Sequence, residues 1–253
     1  MPDNELRETA IWVMEETTGM SRTEILCKDT TNIPNLEIIL QRLRSGMPLQ
    51  YVFGKAYWGG LTLSVNNHTL IPRPETWGLV EAVRERYKDT GAKRVLDIGT
   101  GSGCIAIALK HSFPHWHVEA CDISKEALQT AAENASVNNA EVRFFRCDIL
   151  NDEIEDYDII VSNPPYVMES EKARMQKRVL DFEPESALFV PESNPLLFYR
   201  RIASVHKADR LFFEINEQMA EAMKEMLAGQ GYANICVIKD MAGKDRIVVA
   251  DKQ

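Results

Sequence analysis

Asn163-Pro164-Pro165-Tyr166 puts a carboxamide, two prolines and a phenol ring directly after the apolar run Ile159-Ile160-Val161. Both prolines fix φ and lack an N–H, so a strand arriving through Val161 has to end there. Pro164 also holds Asn163 in an extended conformation. The product is a stiff corner carrying one carboxamide, free carbonyl acceptors and one aromatic face. Such a set suits a planar nitrogen with two hydrogens. The Asn163 side-chain oxygen and the Pro164 carbonyl can each accept one N–H, while Tyr166 packs on the π face. Amides and exocyclic amines both have that shape. Asn, Pro and Tyr also build ordinary turns, so the four residues alone leave a plain turn open.

A second cluster lies upstream. Asp97-Ile98-Gly99-Thr100-Gly101-Ser102-Gly103 joins a strand pattern, 94–98, to a helix pattern beginning at Cys104. Its glycines allow positive φ and let a ligand approach the backbone. No Lys-Ser/Thr pair follows, which excludes a P-loop. Asp122 ends the second strand nineteen residues past Gly103, where a carboxylate can hold both hydroxyls of a ribose. Asp148 ends the third strand and can accept from an adenine amino group, with Ile149 as an apolar wall. Three carboxylates at strand ends would repel a pyrophosphate and attract a sulfonium cation. The ligand they suit is S-adenosylmethionine rather than a dinucleotide.

These groups must be held by a regular framework. Strand and helix patterns alternate from residue 94 to 250: strands at 94–98, 118–121, 142–147, 158–162, 211–215, 235–238 and 247–249, with helices at 104–109, 124–134, 194–205 and 217–227 between them. That alternation predicts a doubly wound α/β sheet. The 124–134 helix turns Ala127, Leu128, Ala131, Ala132 and Ala135 inward. Before it, Leu70-Ile-Pro72-Arg73-Pro74-Glu75-Thr76 reads as a stiff, extended track opening a helix through Leu79, Val80 and Val83. Arg73 and Glu75 either line a cleft or belong to a solvated linker. Gln50–Gly54 and Leu61–Val65, around Trp58-Gly-Gly60, read as hairpin strands. The first helix, over 4–18, shows an apolar face of Leu6, Ala10, Val13, Met14 and Thr17. A capping box at Ser21-Arg-Thr-Glu24 opens a second helix, and Asn32 caps a third with Leu36, Ile39, Leu40 and Leu43 on one face. These three helices either hold a macromolecular partner or simply pack. The predicted division is 1–47 helical, 48–73 hairpin linker and 74–253 α/β domain.

A net charge of −9 over 253 residues disfavours a broad polyanion-binding surface, so no direct nucleic-acid partner is expected. The chain shows neither a membrane-length apolar run nor a signal peptide and reads as cytoplasmic, without a membrane partner. Five cysteines, Cys27, Cys104, Cys121, Cys147 and Cys236, are odd in number and widely spaced. That argues against a disulfide framework or zinc site and for small buried hydrophobes at four of them. His111, His115 and His117 surround Pro114 in a connection with no carboxylate at ligand spacing, so no metal is expected.

Several stretches together resemble the HemK-type release factor glutamine N5-methyltransferases: Gln50-Tyr51, Leu70–Thr76, Asp97–Gly103, Asn163–Tyr166 and Phe182-Glu-Pro-Glu-Ser-Ala-Leu188. The resemblance covers nearly the whole chain. The proline-arginine track and the Phe182-Glu183-Pro184 segment are its most specific parts. It implies a class I, Rossmann-like methyltransferase with a mostly parallel seven-stranded sheet, a final antiparallel strand, a small N-terminal helical domain and a hairpin linker. It further implies methyl transfer from S-adenosylmethionine, leaving S-adenosylhomocysteine, to the glutamine of the Gly-Gly-Gln motif of peptide chain release factors, by a monomer. Carried over, Asp97, Gly99, Thr100, Gly101, Ser102, Gly103, Asp122, Ile123, Asp148, Ile149 and Asn163 bind cofactor. Asn163, Pro164 and Tyr166 are catalytic, and Arg73, Glu75 and Pro165 join them around the substrate. Two positions depart from the family: Trp77 replaces an acidic residue, and Ile149 replaces a common aromatic. The competing readings are an adenine methyltransferase acting on a flipped base, a methyltransferase for a ribosomal protein's glutamine, and a silent cofactor-binding scaffold.

Overall fold

A computed structural model describes residues 3–28, 32–88, 91–205 and 207–253. Helices α1 (Asp3–Thr18), α2 (Arg22–Leu26) and α3 (Leu36–Arg44) come first. α1 covers the expected span and only part of the expected face: Val13 is buried and Met14 and Thr17 are half-buried, whereas Leu6 and Ala10 are exposed and the unpredicted Ile11 is buried. Its second half meets the hairpin through Glu16, which accepts from Lys55 and Tyr57, and its first half meets α2 and a later segment through the Glu8–Arg22 and Glu5–Arg178 pairs. The Ser21/Glu24 capping box opens α2 as expected. Asn32, in contrast, does not cap α3. Pro34 keeps its predecessor out of the helical region, so the helix starts beyond it, with Asn35 at the N-cap in the left-handed region. Ile39 is the one predicted face residue of α3 that is fully buried, against Val13 and Val52.

The predicted first hairpin strand is a helix, α4 (Leu49–Phe53). The Pro48 carbonyl accepts from the N–H groups of Tyr51 and Val52 at 2.9 and 3.0 Å, and Gly54 closes the turn with φ +64°. Caps at both ends of five residues outweigh the strand preference of Tyr, Val and Phe. The hairpin begins afterwards, with β1 (Lys55–Trp58) and β2 (Leu61–Ser64) joined through Gly59-Gly60. It is pinned to the following domain by Asn134. This buried side chain accepts from the Ser64 N–H at 2.6 Å and donates to the carbonyls of Ser64 and Ser102 at 2.9 and 2.8 Å.

Then follow α5 (Trp77–Arg86), β3 (Arg94–Ile98), α6 (Cys104–Ser112), β4 (His117–Asp122), α7 (Lys125–Val137), β5 (Arg143–Arg146) and β6 (Tyr157–Ser162). An excursion of β7 (Val167–Met168), α8 (Lys177–Phe182) and β8 (Phe189–Val190) leads to α9 (Leu197–Ser204), β9 (Ala208–Glu214), α10 (Ala220–Gly229), β10 (Tyr232–Lys239) and β11 (Asp245–Lys252). In α7 Ala132 is exposed, while Thr130 and Asn134 share the buried face with Ala127, Ala131 and Ala135. The docked hairpin draws polar residues inward there, because Asn66 Nδ2 donates to Thr130 Oγ1 at 2.9 Å.

The main sheet has seven strands in the order β10-β11-β9-β6-β3-β4-β5, parallel except for β11, which runs antiparallel to both neighbours. Helices cover both faces. Ile159, Val161 and Phe212 enter one core beside Leu79, Ile107 and Trp116, whereas Ile160, Leu211 and Phe213 enter the other beside Tyr199 and Leu227. Burial on both faces is why these strands read as unbroken apolar runs. The strand order reverses between β3 and β6, so a crevice opens at their carboxyl ends. Among the described residues no helix is long and apolar enough to cross a membrane, and no three His, Cys, Asp or Glu side chains gather as a metal site. Cys104, Cys121 and Cys147 are buried, but Cys236 lies exposed on the edge strand β10, and Cys27 is exposed as well.

Candidate active site

The crevice is a cavity of about 360 Å³ above the carboxyl ends of β3, β4 and β6. That volume lies in the range of small-molecule sites. Its floor is the turn after β3. Gly103 has φ +82°, and a Cβ there would sit 3.1 Å from Ala131 Cβ, so glycine is what lets the loop press against α7. Four of the loop amides are already engaged. Gly99 and Thr100 donate to the Cys121 carbonyl at 2.9 and 3.0 Å, Gly101 to Asp122 Oδ2 at 2.9 Å, and Gly103 to the Thr100 carbonyl at 2.9 Å. A phosphate cradle needs such N–H groups free. This loop spends them on its own fold.

Asp122 stands at the end of β4 with its second oxygen taken by the Ser124 N–H at 2.9 Å, and burial pushes its carboxyl upward. Asp148 follows β5 and accepts from Leu150 N at 3.1 Å and Asn151 Nδ2 at 2.7 Å. Both carboxylates line the cavity together with Ile123 and Ile149. Among the described residues, the one arginine or lysine on the wall is Arg73, and it is paired to Glu183 at 2.6 Å. Engaged amides, inward carboxylates and an already neutralised guanidinium together suit a cationic adenosyl compound such as S-adenosylmethionine and disfavour a pyrophosphate.

The structure brings most of the predicted residues together. Gly99, Thr100, Gly101, Ser102, Asn163, Pro164, Pro165 and Arg73 all reach the cavity. Asp97 does not. It is fully buried under the loop, where Thr100 Oγ1 donates to its Oδ2 at 2.7 Å, its Oδ1 has no partner, and burial pushes its carboxyl up to about 7. Glu75 is exposed and off the wall, and its place on the track is taken by Thr76. Tyr166 packs beside the second core, and its hydroxyl donates to Glu214 Oε1 at 3.1 Å. Trp77, the first departure from the family pattern, is a packing residue: it meets Trp58 edge-on at 5.0 Å over Gly59, and its indole donates to Glu81. Ile149, the second, supplies a mostly buried apolar wall.

Two groups escaped the sequence reading. Thr76 is buried and accepts from Asn163 Nδ2 at 3.3 Å. Glu214, 1% exposed at the end of β9, sits behind the corner, with burial pushing its carboxyl up and the Thr76 and Tyr166 hydroxyls and the Arg246 charge pulling it back. A carboxylate closing the apolar strand 211–213 was the available signal, of the same kind that singled out Asp122. The outer wall is a clamp of two segments: Glu183 accepts from the Ile71 N–H at 3.2 Å and from Arg73, tying the proline track to the segment that carries Ser186, Ala187 and Phe189.

Sheet order, a switch-point cavity and a glycine loop spent on its own fold define a class I methyltransferase using S-adenosylmethionine. The Methyltransferase small domain family matches residues 77–182. A methyltransferase from Pyrococcus furiosus superposes with a TM-score of 0.54 over 86% of this chain and 98% of that one, at 17% identity, which speaks to the fold alone. The release factor glutamine methyltransferase of Bacteroides thetaiotaomicron is 48% identical over 225 residues, covering 86% of this chain and 80% of that protein. The one from Flavobacterium psychrophilum is 38% identical over 251 residues, covering 93% and 88%. The chain belongs to the release factor glutamine methyltransferase family.

Proposed function

We propose that the protein methylates the side-chain amide nitrogen (N5) of the glutamine in the Gly-Gly-Gln motif of peptide chain release factors, acting as a monomer on a protein substrate. The observation that carries this reading is Asn163. Its Nδ2 is turned onto Thr76 at 3.3 Å, so the side-chain oxygen is left for the cavity. Asn163 Oδ1 and the Pro164 carbonyl are then two acceptors for the two hydrogens of one amide. S-adenosylmethionine, when bound, supplies an electrophilic methyl group and departs as S-adenosylhomocysteine. The glycine loop, Asp122 with Ile123, and Asp148 with Ile149 hold it. An amide nitrogen is a weak nucleophile because its lone pair is shared with the carbonyl. Accepting both of its N–H groups aims that lone pair and enriches it as the new bond forms. Positioning of this kind lowers a barrier by about 7–11 kcal/mol, and the nitrogen, acidified as the methyl bond forms, sheds one of its two protons to solvent to leave the secondary amide. Arg73 and the rest of the clamp border the substrate's entry, and residues 1–47 hold the body of the release factor.

The test is incubation with purified release factor and cofactor, followed by peptide mass mapping. A single methyl gain on the Gly-Gly-Gln glutamine is expected. Label appearing in duplex DNA, or on a ribosomal protein in place of the release factor, would refute the assignment.

A further inference from the structure

Asn163 can serve as an acceptor only if its amide is held the right way round. A carboxamide rotated by half a turn presents NH2 where the oxygen stood, with almost the same shape. Whatever fixes the rotation therefore decides whether the corner attracts or repels the two N–H groups of an incoming amide. The nearest hydrogen-bonding neighbour, the Thr76 hydroxyl, cannot fix it alone, since a hydroxyl both donates and accepts.

Behind Thr76 stands Glu214. It is 1% exposed, its Oε1 takes the Tyr166 hydroxyl at 3.1 Å, and its Oε2 is buried without a close partner. The Thr76 hydroxyl faces the same carboxylate. Burial pushes the Glu214 carboxyl up, while the Thr76 and Tyr166 hydroxyls and the Arg246 charge favour its ionised form; once ionised it accepts and never donates, and a buried oxygen with nothing on it draws any proton within reach. A Thr76 hydroxyl that turns its proton toward Glu214 keeps only its lone pairs for Asn163, and Asn163 then turns its NH2 toward Thr76. The 3.3 Å contact from Asn163 Nδ2 to Thr76 Oγ1 has that polarity.

We infer that Glu214 and Thr76 are positioning residues, a one-way relay that locks the Asn163 carboxamide with its oxygen toward the substrate. Tyr166 shares the same carboxylate, so both ends of the corner are anchored at Glu214. The neighbours pressing on this carboxylate are Thr76 and Glu75 from the track, Tyr166 from the corner and Arg246 from β11. The inference rests on the proposed glutamine methylation and adds to it the residues that set the polarity of its acceptor.

Glu214→Gln tests it with little change of shape, because a glutamine there can donate to Thr76 and reverse the relay. Thr76→Val removes the relay outright, and Thr76→Ser keeps the hydroxyl. All are measured as full-length chains on purified release factor, with cofactor affinity by calorimetry and melting temperature as the check on folding. The expected result is a fall in kcat of at least 10-fold for Glu214→Gln and Thr76→Val, with cofactor Kd within 3-fold of wild type and most of the loss recovered in Thr76→Ser. A merely structural role would move cofactor affinity and melting temperature in step with kcat. If wild type is active and Thr76→Val keeps kcat within 2-fold, the relay is wrong and the function stands; should Glu214→Gln not fold, Thr76→Val decides. A folded wild type that leaves the release factor unmodified overturns the function and the relay together.

Discussion

The clamp between Arg73 and Glu183 yields a prediction whose sign is set by unequal burial. The Glu183 side chain is 1% exposed, while that of Arg73 is 32% exposed, and they meet at 2.6 Å. Arg73→Ala strands a buried carboxylate with the Ile71 N–H, at 3.2 Å, as its remaining close donor among the described residues. Removing one partner of a buried pair costs about 3–5 kcal/mol. Water already reaches Arg73, so the lower end, about 3 kcal/mol, applies. Glu183→Gln is milder. The guanidinium can swing into water, the new amide oxygen still accepts, and about 1–1.5 kcal/mol is lost. The double variant leaves no stranded charge and should sit between the two, at about 2 kcal/mol.

Thermal and urea unfolding of the four proteins measures this directly. At this chain length 1 kcal/mol moves Tm by roughly 2–4 °C, so Arg73→Ala should melt roughly 6–12 °C below wild type and regain part of that loss when Glu183→Gln is added. A second substitution that restores stability is the diagnostic outcome. If the double variant is less stable than Arg73→Ala, or Arg73→Ala melts within about 2 °C of wild type, the pair does not hold the wall as described. In activity assays Arg73→Ala should raise KM for the release factor several-fold. Cofactor Kd should change less, because the hydrogen bonds that hold the glycine loop and Asp122 do not involve the clamp.

Other expectations follow from single contacts. Asn163→Ala should lower kcat by about 100-fold or more while cofactor Kd stays within a few-fold, and undiminished turnover on stopped-assay kinetics would remove Asn163 from the chemistry. Gly59→Ala should cost about 2–3 kcal/mol in urea unfolding, since φ is +56° and the new Cβ would fall 2.1 Å from Trp77 Cζ3; an unchanged midpoint would contradict the packing. Asp97 takes up its proton on folding, with its carboxyl pushed from 3.8 up to about 7, so wild-type stability present at pH 4 should be lost as pH rises through that window. Asp97→Asn should flatten that slope and be the more stable protein at pH 8, by about 4 kcal/mol at most, in unfolding curves across pH.

What could be read ahead of the structure was whatever local chemistry alone decides. The buried strands announced themselves because both faces are covered, and the prolines of 163–166 and 70–76 fix backbone wherever they stand. Asp122 and Asp148 were legible because a carboxylate closing an apolar strand has few structural uses. The misreadings lie where a distant neighbour casts the vote. Leu49–Phe53 has strand residues, yet Pro48 and Gly54 close it into one helical segment. Ala132 lost its place to Asn134 because the hairpin, seventy residues upstream at Ser64, needed a partner. Thr76 read as a helix opener because Glu214, which gives its hydroxyl a direction, joins it only once β9 lies beside β6.

The acids at the strand ends therefore do not form one group, although in the sequence they look alike. Asp122 and Asp148 face the cavity, each with backbone or side-chain donors that keep an oxygen oriented there. Asp97 is walled off beneath the loop and close to losing its charge near neutral pH, so its part is to hold the loop through Thr100 rather than to attract a cation. Glu214 is equally buried but looks toward the corner, where its need for donors becomes an orientation for Asn163. Burial and the direction of the nearest proton sort four similar carboxylates into two on the cavity wall, a loop brace and the proposed aiming device. On the proposed reading, the donor and the amide are thus served by separate carboxylates.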